Sequence, residues 1–336
     1  MTYDKSPSFI VWIFTAKCNL NCRHCYTYRF RKLCELTLDE KIELVRELAE
    51  IGINHLNITG GEPLIHRDIR RILDVIYDLG LDVSIVTNAT YIPRDIVSYL
   101  KKVDAYLYIS VDGPKEVHDT IRGVGSFEKT CKNIKMLRDN DIPFTIVMAI
   151  NRLNYNYVEK VIDLALELGA EEAALIPVMP SGKAMETKIY IDGSNLVRAV
   201  KAAEKKADEL GYNIALWCMP FAPLIIKSPY MRYYFCRTYD VVDISPCGEL
   251  LACDIIDIKV TNIRGKGFKK AWEEYVENET IANIVDPKDL EEPCVKCPIK
   301  NYCKGGCFAR SYVWFGRLNA GDPLCPMVSK KASKPI

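Results

Sequence analysis

From residue 8 onward the chain alternates short β-branched or aromatic runs with longer stretches of helical period, and this alternation constrains the fold more than any other feature. The runs are "FIVWIFTA" (9–16), "NHLNIT" (54–59), "DVSIVTN" (82–88), "AYLYISV" (105–111), "PFTIVMAI" (143–150) and "EAALIPV" (172–178), with five helical stretches between them. In "TLDEKIELVRELAEIG", Thr37 and Glu40 make a capping box, Ile42, Val45, Leu48 and Ala49 trace an apolar face, and Gly52 ends the helix. Six nearly all-apolar strands joined by helices predict an α/β fold with a parallel sheet buried on both faces. Right-handed crossovers curl such a sheet into an open or closed barrel.

Chemistry in such folds gathers at the C-terminal ends of the strands, and the unusual residues fall there. "CNLNCRHC" follows the first run, "GGEP" the second, "TNAT" the third, Asp112 and Gly113 the fourth, Asn151 the fifth and "PSGKA" the sixth. If the strands are placed correctly, all converge on one mouth. A helical connection follows near 192–211, and beyond about residue 230 the chain changes to short strands, turns and cysteine-rich loops. "VVDISPCGELLACDI" reads there as a hairpin turning at Pro246, Cys247 and Gly248. The expected division is a barrel core over 1–190, a helical connection over 191–229, a cysteine-rich α+β domain over 230–328 and a fraying tail over 329–336.

Lys and Arg number 45 against 44 Asp and Glu, a net charge of +1, so nothing advertises a nucleic-acid or acidic-membrane partner. No run approaches the ~18 apolar residues of a membrane span, and "MTYDKSPSF" lacks a signal-peptide layout. A cytoplasmic protein is the reading. A reducing cytosol keeps thiols free, so the 14 cysteines point to metal or cluster ligation more than to disulfides.

Cys18, Cys22 and Cys25 can wrap three thiolates around one corner of a four-iron cube and leave one iron without a protein ligand. A structural zinc site is closed by four ligands, and only Cys34 or His24 stands near enough in sequence to complete one. With "GGEP" one strand later, the triplet resembles the radical S-adenosylmethionine (SAM) enzymes, and the resemblance extends over essentially the whole chain. It implies a partial (β/α)6 TIM-like barrel in which the open iron of a [4Fe-4S] cluster is chelated by SAM. Reductive cleavage there yields a 5′-deoxyadenosyl radical. By position, Gly60, Gly61, Glu62, Thr87, Asn88, Ser110 and Asn151 are implied to bind SAM, with His24 near the adenine.

Cys294, Cys297, Cys303, Cys307 and Cys325, preceded by Cys236 and Cys253, match the seven-cysteine pattern of the SPASM extension carried by a subset of these enzymes. One or two zinc sites are the competing reading. The resemblance implies two auxiliary [4Fe-4S] clusters, one held by Cys294, Cys297, Cys303 and Cys325, the other by Cys236, Cys253 and Cys307. The fourth ligand of the latter is open between Cys218, Cys247 and none. Asp254 matches the place where sulfatase-maturing relatives carry a proton-accepting aspartate, although Asp also serves ordinary turn chemistry there. Asp112 and Arg122 either line the site or form a loop salt bridge, and Tyr26 and Tyr28 pack or line the substrate.

The resemblance implies a maturase that abstracts hydrogen from a peptide or protein, supplied with electrons by a donor such as ferredoxin or flavodoxin. Only about eight residues precede the first strand, which leaves no place for the leader-binding domain of many peptide-modifying relatives. A tetrapyrrole or other cofactor-biosynthesis enzyme is therefore the alternative, and an iron–sulfur electron carrier without catalysis the non-enzyme one.

Overall fold

The computed structural model describes residues 7–329, so the tail expected at 329–336 lies outside the described residues except for Ser329. Its centre is six parallel strands: β1 (Phe9–Thr15), β2 (His55–Gly60), β3 (Asp82–Thr87), β4 (Tyr106–Ser110), β5 (Phe144–Ile150) and β6 (Glu172–Pro177). Each lies within a residue or so of the run read from the sequence. Beyond β6 come β7 (Ile214–Leu216) and β8 (Met231–Tyr233), both parallel. On the other edge β9 (Val241–Ile244) pairs parallel with β1, and β10 (Glu249–Leu251) and β11 (Lys259–Asn262) continue antiparallel. One sheet of eleven strands results, in the order β11-β10-β9-β1-β2-β3-β4-β5-β6-β7-β8, and it remains open.

The helix Leu38–Glu50 begins as expected: Thr37 Oγ1 accepts from the Glu40 amide at 3.3 Å and Glu40 Oε2 accepts from the Thr37 amide at 2.7 Å. Its buried face includes the expected one and extends to Lys41 and Leu44. Lys41, Leu44, Val45 and Leu48 face inward, while Ile42 and Ala49 are half-buried. Lys41 can be buried because Asp68 accepts from its ammonium at 2.9 Å and the Phe14 ring lies 4.3 Å beneath it. The β4–β5 connection carries two helices, Lys115–Arg122 and Ser126–Arg138, separated at Gly123 and Gly125, both with positive φ.

The two faces of the sheet differ, which the all-apolar reading of the strands does not anticipate. Ile10, Trp12, Phe14, Leu56, Ile58, Ile85, Leu107, Ile109, Ile146 and Met148 belong to the main core with the helices. The alternate residues face the barrel interior and include many polar groups. Asn57 donates to Ser84 Oγ at 2.8 Å, His55 Nε2 lies 2.8 Å from the same hydroxyl, and Tyr106 meets Thr145 at 2.8 Å. Asp243 of β9 stands in register with Val11 of β1, and Val11 with Asn57 of β2, so Asp243 joins this interior face. The hairpin at 246–248 forms as read, closed by the Ser245 amide donating to Glu249 O at 2.9 Å.

Candidate active site

The cysteine loop leaves β1 at the barrel mouth. The Cys18 sulfur accepts from the Leu20 amide at 3.4 Å and from Asn88 Nδ2 at 3.8 Å, and Cys25 Sγ lies 3.2 Å from Thr27 Oγ1. Burial pushes the Cys22 thiol up to about 11, the Arg122 charge opposes this, and the charges of Cys25 and Cys18 add to it. Burial raises Cys18 as well, with Cys25 contributing. The three sulfurs thus lie close enough to repel one another as thiolates. Neither sequence candidate for a fourth ligand is turned to this use. Cys34 Sγ lies 3.4 Å from Cys247 Sγ, and His24 Nε2 lies 3.6 Å from Asp112 Oδ2. A buried, mutually repelling thiol set is relieved by a cationic metal, so three convergent sulfurs suit a cluster with one open iron.

The glycines of "GGEP" serve a close backbone approach. The Gly61 amide donates to Thr15 O at 2.7 Å and the Glu62 amide to Lys17 O at 2.8 Å. A Cβ on Gly61 would lie 2.1 Å from Lys17 O, and one on Gly60, whose φ is +132°, would lie 2.2 Å from Thr15 O. The β2 turn is therefore clamped onto the start of the cysteine loop. Glu62 has no exposed surface, and both its oxygens are engaged. Oε1 accepts from Thr87 Oγ1 at 2.8 Å and the Leu64 amide at 3.2 Å, and Oε2 from the Asn88 amide at 2.7 Å. Burial nevertheless raises this carboxyl to about 7. Asn88 continues the chain of contacts, its Nδ2 donating to Asn19 Oδ1 at 3.0 Å beside Cys18.

Asp112, fully buried, accepts from Arg122 Nε at 2.6 Å and from the Ala149 amide at 2.9 Å. Burial would raise its carboxyl, but the Arg122 charge and then His24 hold it below the ordinary range. The pair is thus a buried salt bridge, and Arg122 also reaches His24 Nε2 at 3.4 Å. Burial lowers His24 to about 4, so its ring is neutral at pH 7, and its buried Nδ1 has no partner among the described residues. Asn151 spends its side chain on the end of β5, donating to Ala149 O and accepting from the Leu153 amide, both at 2.9 Å. Ser110, the last residue of β4, is half-buried and in register with Val147 on the interior face.

The later cysteines form two groups. Cys294, Cys297, Cys303 and Cys325 line one cavity with Gly305, Gly306 and Asp322. Burial pushes Cys303 and Cys325 up to about 12, and Cys303 feels the charges of Cys325, Cys294 and Cys297. The second group is Cys218, Cys236, Cys253 and Cys307. Burial raises Cys236 to about 12, with Cys307 the next cause; burial and then the charges of Cys307 and Cys236 raise Cys218, and burial, then Asp254 and Asp243, then Cys307 and Cys236 raise Cys253. Cys218, on a residue with φ +56°, is thus the cysteine that joins Cys236 and Cys307, whereas Cys247 packs against Cys34. Arg310 ties the two groups together: it is fully buried, donates to Asp322 at 2.7 and 2.9 Å, and reaches Cys218 O. Four sulfurs in each group, crowded and buried, fit a closed cluster.

The cysteine triplet and the second group are joined directly. Tyr26, next to Cys25, lies beside the Asp254 carboxylate and Thr59, and Asp254 follows Cys253. The Asp254 amide donates to Asp243 Oδ2 at 2.6 Å, and Asp243, Cys253 and Asp254 offer ligand atoms within 4.8 Å of one another. Burial raises both carboxyls, that of Asp243 further under the Asp254 charge. Arg29 reinforces the joint by donating to the carbonyls of Asp254, Ile255 and Ile256. Arg29 and Asp243 escape a reading of the sequence; the only signal is an acidic residue inside the apolar run "VVDI".

Residues 12–165 match the family described as the Radical SAM superfamily. An AdoMet-dependent heme synthase of Methanosarcina barkeri is 30% identical over 95% of this chain and 96% of its own length. Among solved structures, anSMEcpe with bound AdoMet superposes with a TM-score of 0.75 at 18% identity, covering 97% of this chain and 96% of that one. Streptococcus suis SuiB bound to its precursor peptide SuiA gives a TM-score of 0.76 at 16% identity over 95% of this chain and 76% of SuiB. The chain belongs to the radical SAM enzymes, a family that uses SAM and a [4Fe-4S] cluster, and along nearly all of its length, cysteine-rich extension included, it shares the fold of these neighbours.

Proposed function

We propose that this enzyme oxidises a porphyrin precursor in haem-type cofactor synthesis, with Cys18, Cys22 and Cys25 holding the SAM-binding cluster. When bound, that cluster and SAM supply the radical that removes a hydrogen atom from an unactivated carbon. Cys218, Cys236, Cys253 and Cys307 would hold one auxiliary cluster and Cys294, Cys297, Cys303 and Cys325 the other, supplying an acceptor for the electron left on the substrate. The observation that carries the oxidative reading is the Tyr26–Asp254 contact, which sets a carboxylate between the residue after Cys25 and Cys253. Asp254 takes the proton released from the oxidised carbon, and the Tyr26 hydroxyl and the Asp243–amide contact hold its orientation.

Glu62 orients the Thr87 hydroxyl and the Asn88 amide, and Gly60, Gly61, Asn88, Ser110, Asn151 and His24 frame the SAM side of the mouth. The porphyrin class is supported by the full-length similarity to the heme synthase and by the cations around the loop. Arg23 and Lys188 are exposed, and Arg31 and Lys183 are half-buried against it, which suits a substrate bearing several carboxylates. A peptide or protein substrate is the second reading, favoured by the fold shared with peptide-bound SuiB along nearly all of this chain. Electrons for SAM cleavage come from a ferredoxin or flavodoxin, and the reaction is cytoplasmic.

Anaerobic reconstitution tests the reading. About 12 irons per chain are expected from three four-iron clusters, with 5′-deoxyadenosine released by dithionite and SAM. An iron porphyrin carrying propionates is expected to increase that release and to be converted, whereas a short peptide panel is not. A fully loaded protein that releases no 5′-deoxyadenosine overturns the enzymatic reading. Release stimulated by peptide and not by porphyrin replaces the first substrate class with the second.

A further inference from the structure

Three cysteines, Cys34, Cys131 and Cys247, lie outside every cluster group, and Cys34 and Cys247 meet each other. Cys34 Sγ stands 3.4 Å from Cys247 Sγ, and the Cys247 thiol donates to the carbonyl of Cys34. They belong to segments already fastened side by side: the Leu36 amide donates to Pro246 O at 2.8 Å, and Gly248 packs near Leu36. Charges of both signs surround the pair, with a cation against the exposed thiol. Arg264 Nη1 reaches Cys34 Sγ at 3.3 Å, and Glu40 fixes that guanidinium through contacts of 2.7 and 3.0 Å. Cys34 is exposed and Cys247 is 6% exposed, so one thiol is open to solvent and the other is shielded behind it.

We propose that Cys34 and Cys247 are a thiol pair that reacts with low-molecular-weight disulfides to form a reversible disulfide, fastening the β9–β10 turn to the segment that follows the cysteine loop. The Cys34 thiolate, stabilised by Arg264, attacks one sulfur of the small disulfide. That S–S bond breaks, a mixed disulfide forms on Cys34, and one small thiol leaves. Cys247 then gives up its proton and attacks the Cys34 sulfur, displacing the second small thiol. Overall, two protein thiols and one small disulfide become one protein disulfide and two small thiols. Closing from 3.4 Å to a bond of about 2.0 Å requires only a small side-chain movement. The hydrogen bond from Arg264 holds Cys34 below the ordinary thiol range, whereas burial pushes Cys247 up to about 12, which fits the first as attacker and the second as resolver.

The fastening has a destination in the molecule. Glu35, next to Cys34, accepts from Thr15 Oγ1 at 2.8 Å and from the Ala16 amide at 2.9 Å, at the base of the cysteine loop. Cys247 sits six positions before Cys253 in the hairpin that carries it. A disulfide here pins the two regions that the Tyr26–Asp254 contact joins from the other side.

The test uses the cluster-loaded protein under anaerobic conditions with oxidised glutathione as the probe. After alkylation of the remaining thiols and proteolysis, mass spectrometry is expected to find a peptide joining Cys34 to Cys247, lighter by two hydrogens, reversed by dithiothreitol, with iron content unchanged. Cys247→Ser is expected to stop at a stable glutathione adduct on Cys34, and Cys34→Ser to abolish adduct and cross-link together. A wild-type protein that accumulates glutathione on Cys34 with Cys247 still alkylatable overturns the proposal. So does a cross-link that forms only with loss of iron, since cluster cysteines are then the reacting thiols. The wild-type measurement decides the matter even if a variant folds poorly.

Discussion

Glu62 has no exposed surface and accepts three hydrogen bonds, yet burial raises its carboxyl from 4.5 to about 7. The folded chain therefore binds this proton more tightly than the unfolded chain. Its contribution to stability is full below the unfolded value and is lost as pH rises through about 7. Glu62→Gln, uncharged throughout, is expected to flatten that loss, with urea midpoints at about pH 4 and about pH 8 as the measurement. Glu35 runs the other way. Burial would raise it, but hydrogen bonds from His66, the Ala16 amide and Thr15 outweigh this and hold it down to about 2. Its contribution is present above 4.5 and lost as pH falls toward about 2, so the advantage of wild type over Glu35→Gln is expected to vanish in acid. The Glu35 carboxylate braces the base of the cysteine loop through Thr15 and Ala16, whereas that of Glu62 ties the β2 turn to Thr87 and Asn88.

Among the elements, the turn after β2 is the one that tolerates least. Its amides bond the carbonyls of Thr15 and Lys17, and the space for a Cβ at Gly61 is taken by Lys17 O at 2.1 Å. Backbone, not a flexible side chain, blocks it. Gly61→Ala is expected to push the cysteine loop off the β2 turn and to lower iron loading by about one cluster, about four of about 12 irons. Iron per chain after reconstitution reads this directly, and loss of all iron would mean that the variant failed to fold. The Leu38–Glu50 helix shows the limit of local rules. Its cap and most of its apolar face were legible because both are short-range patterns, whereas the burial of Lys41 was not, because Asp68 and Phe14 reach it from distant positions.

On the scale of the whole molecule, the two ends of the barrel sheet are covered by later segments. β9 pairs along β1 and β7 along β6, so neither edge of the six-stranded core is bare. A fragment comprising 7–190 would present both edges, and it is expected to aggregate where the full chain stays monodisperse in size-exclusion chromatography. Among the described residues no helix is long and apolar enough to cross a membrane. The amino-acid sequence by itself determined the six strands, the hairpin at 246–248, the capped helix and the cysteine spacings, because periodicity, turn chemistry and ligand spacing are short-range properties. Tertiary structure alone decided that, of the alternatives Cys218, Cys247 and none, it is Cys218 that stands with Cys236 and Cys307, and that Cys34 meets Cys247. It also decided that polar groups line part of the barrel interior and that Arg29, with Tyr26 close by, ties the cysteine loop to the Asp254 segment. These depend on contacts between residues up to 228 positions apart, Tyr26 with Asp254 among them, and no pattern within a single segment encodes which distant segment will close upon it.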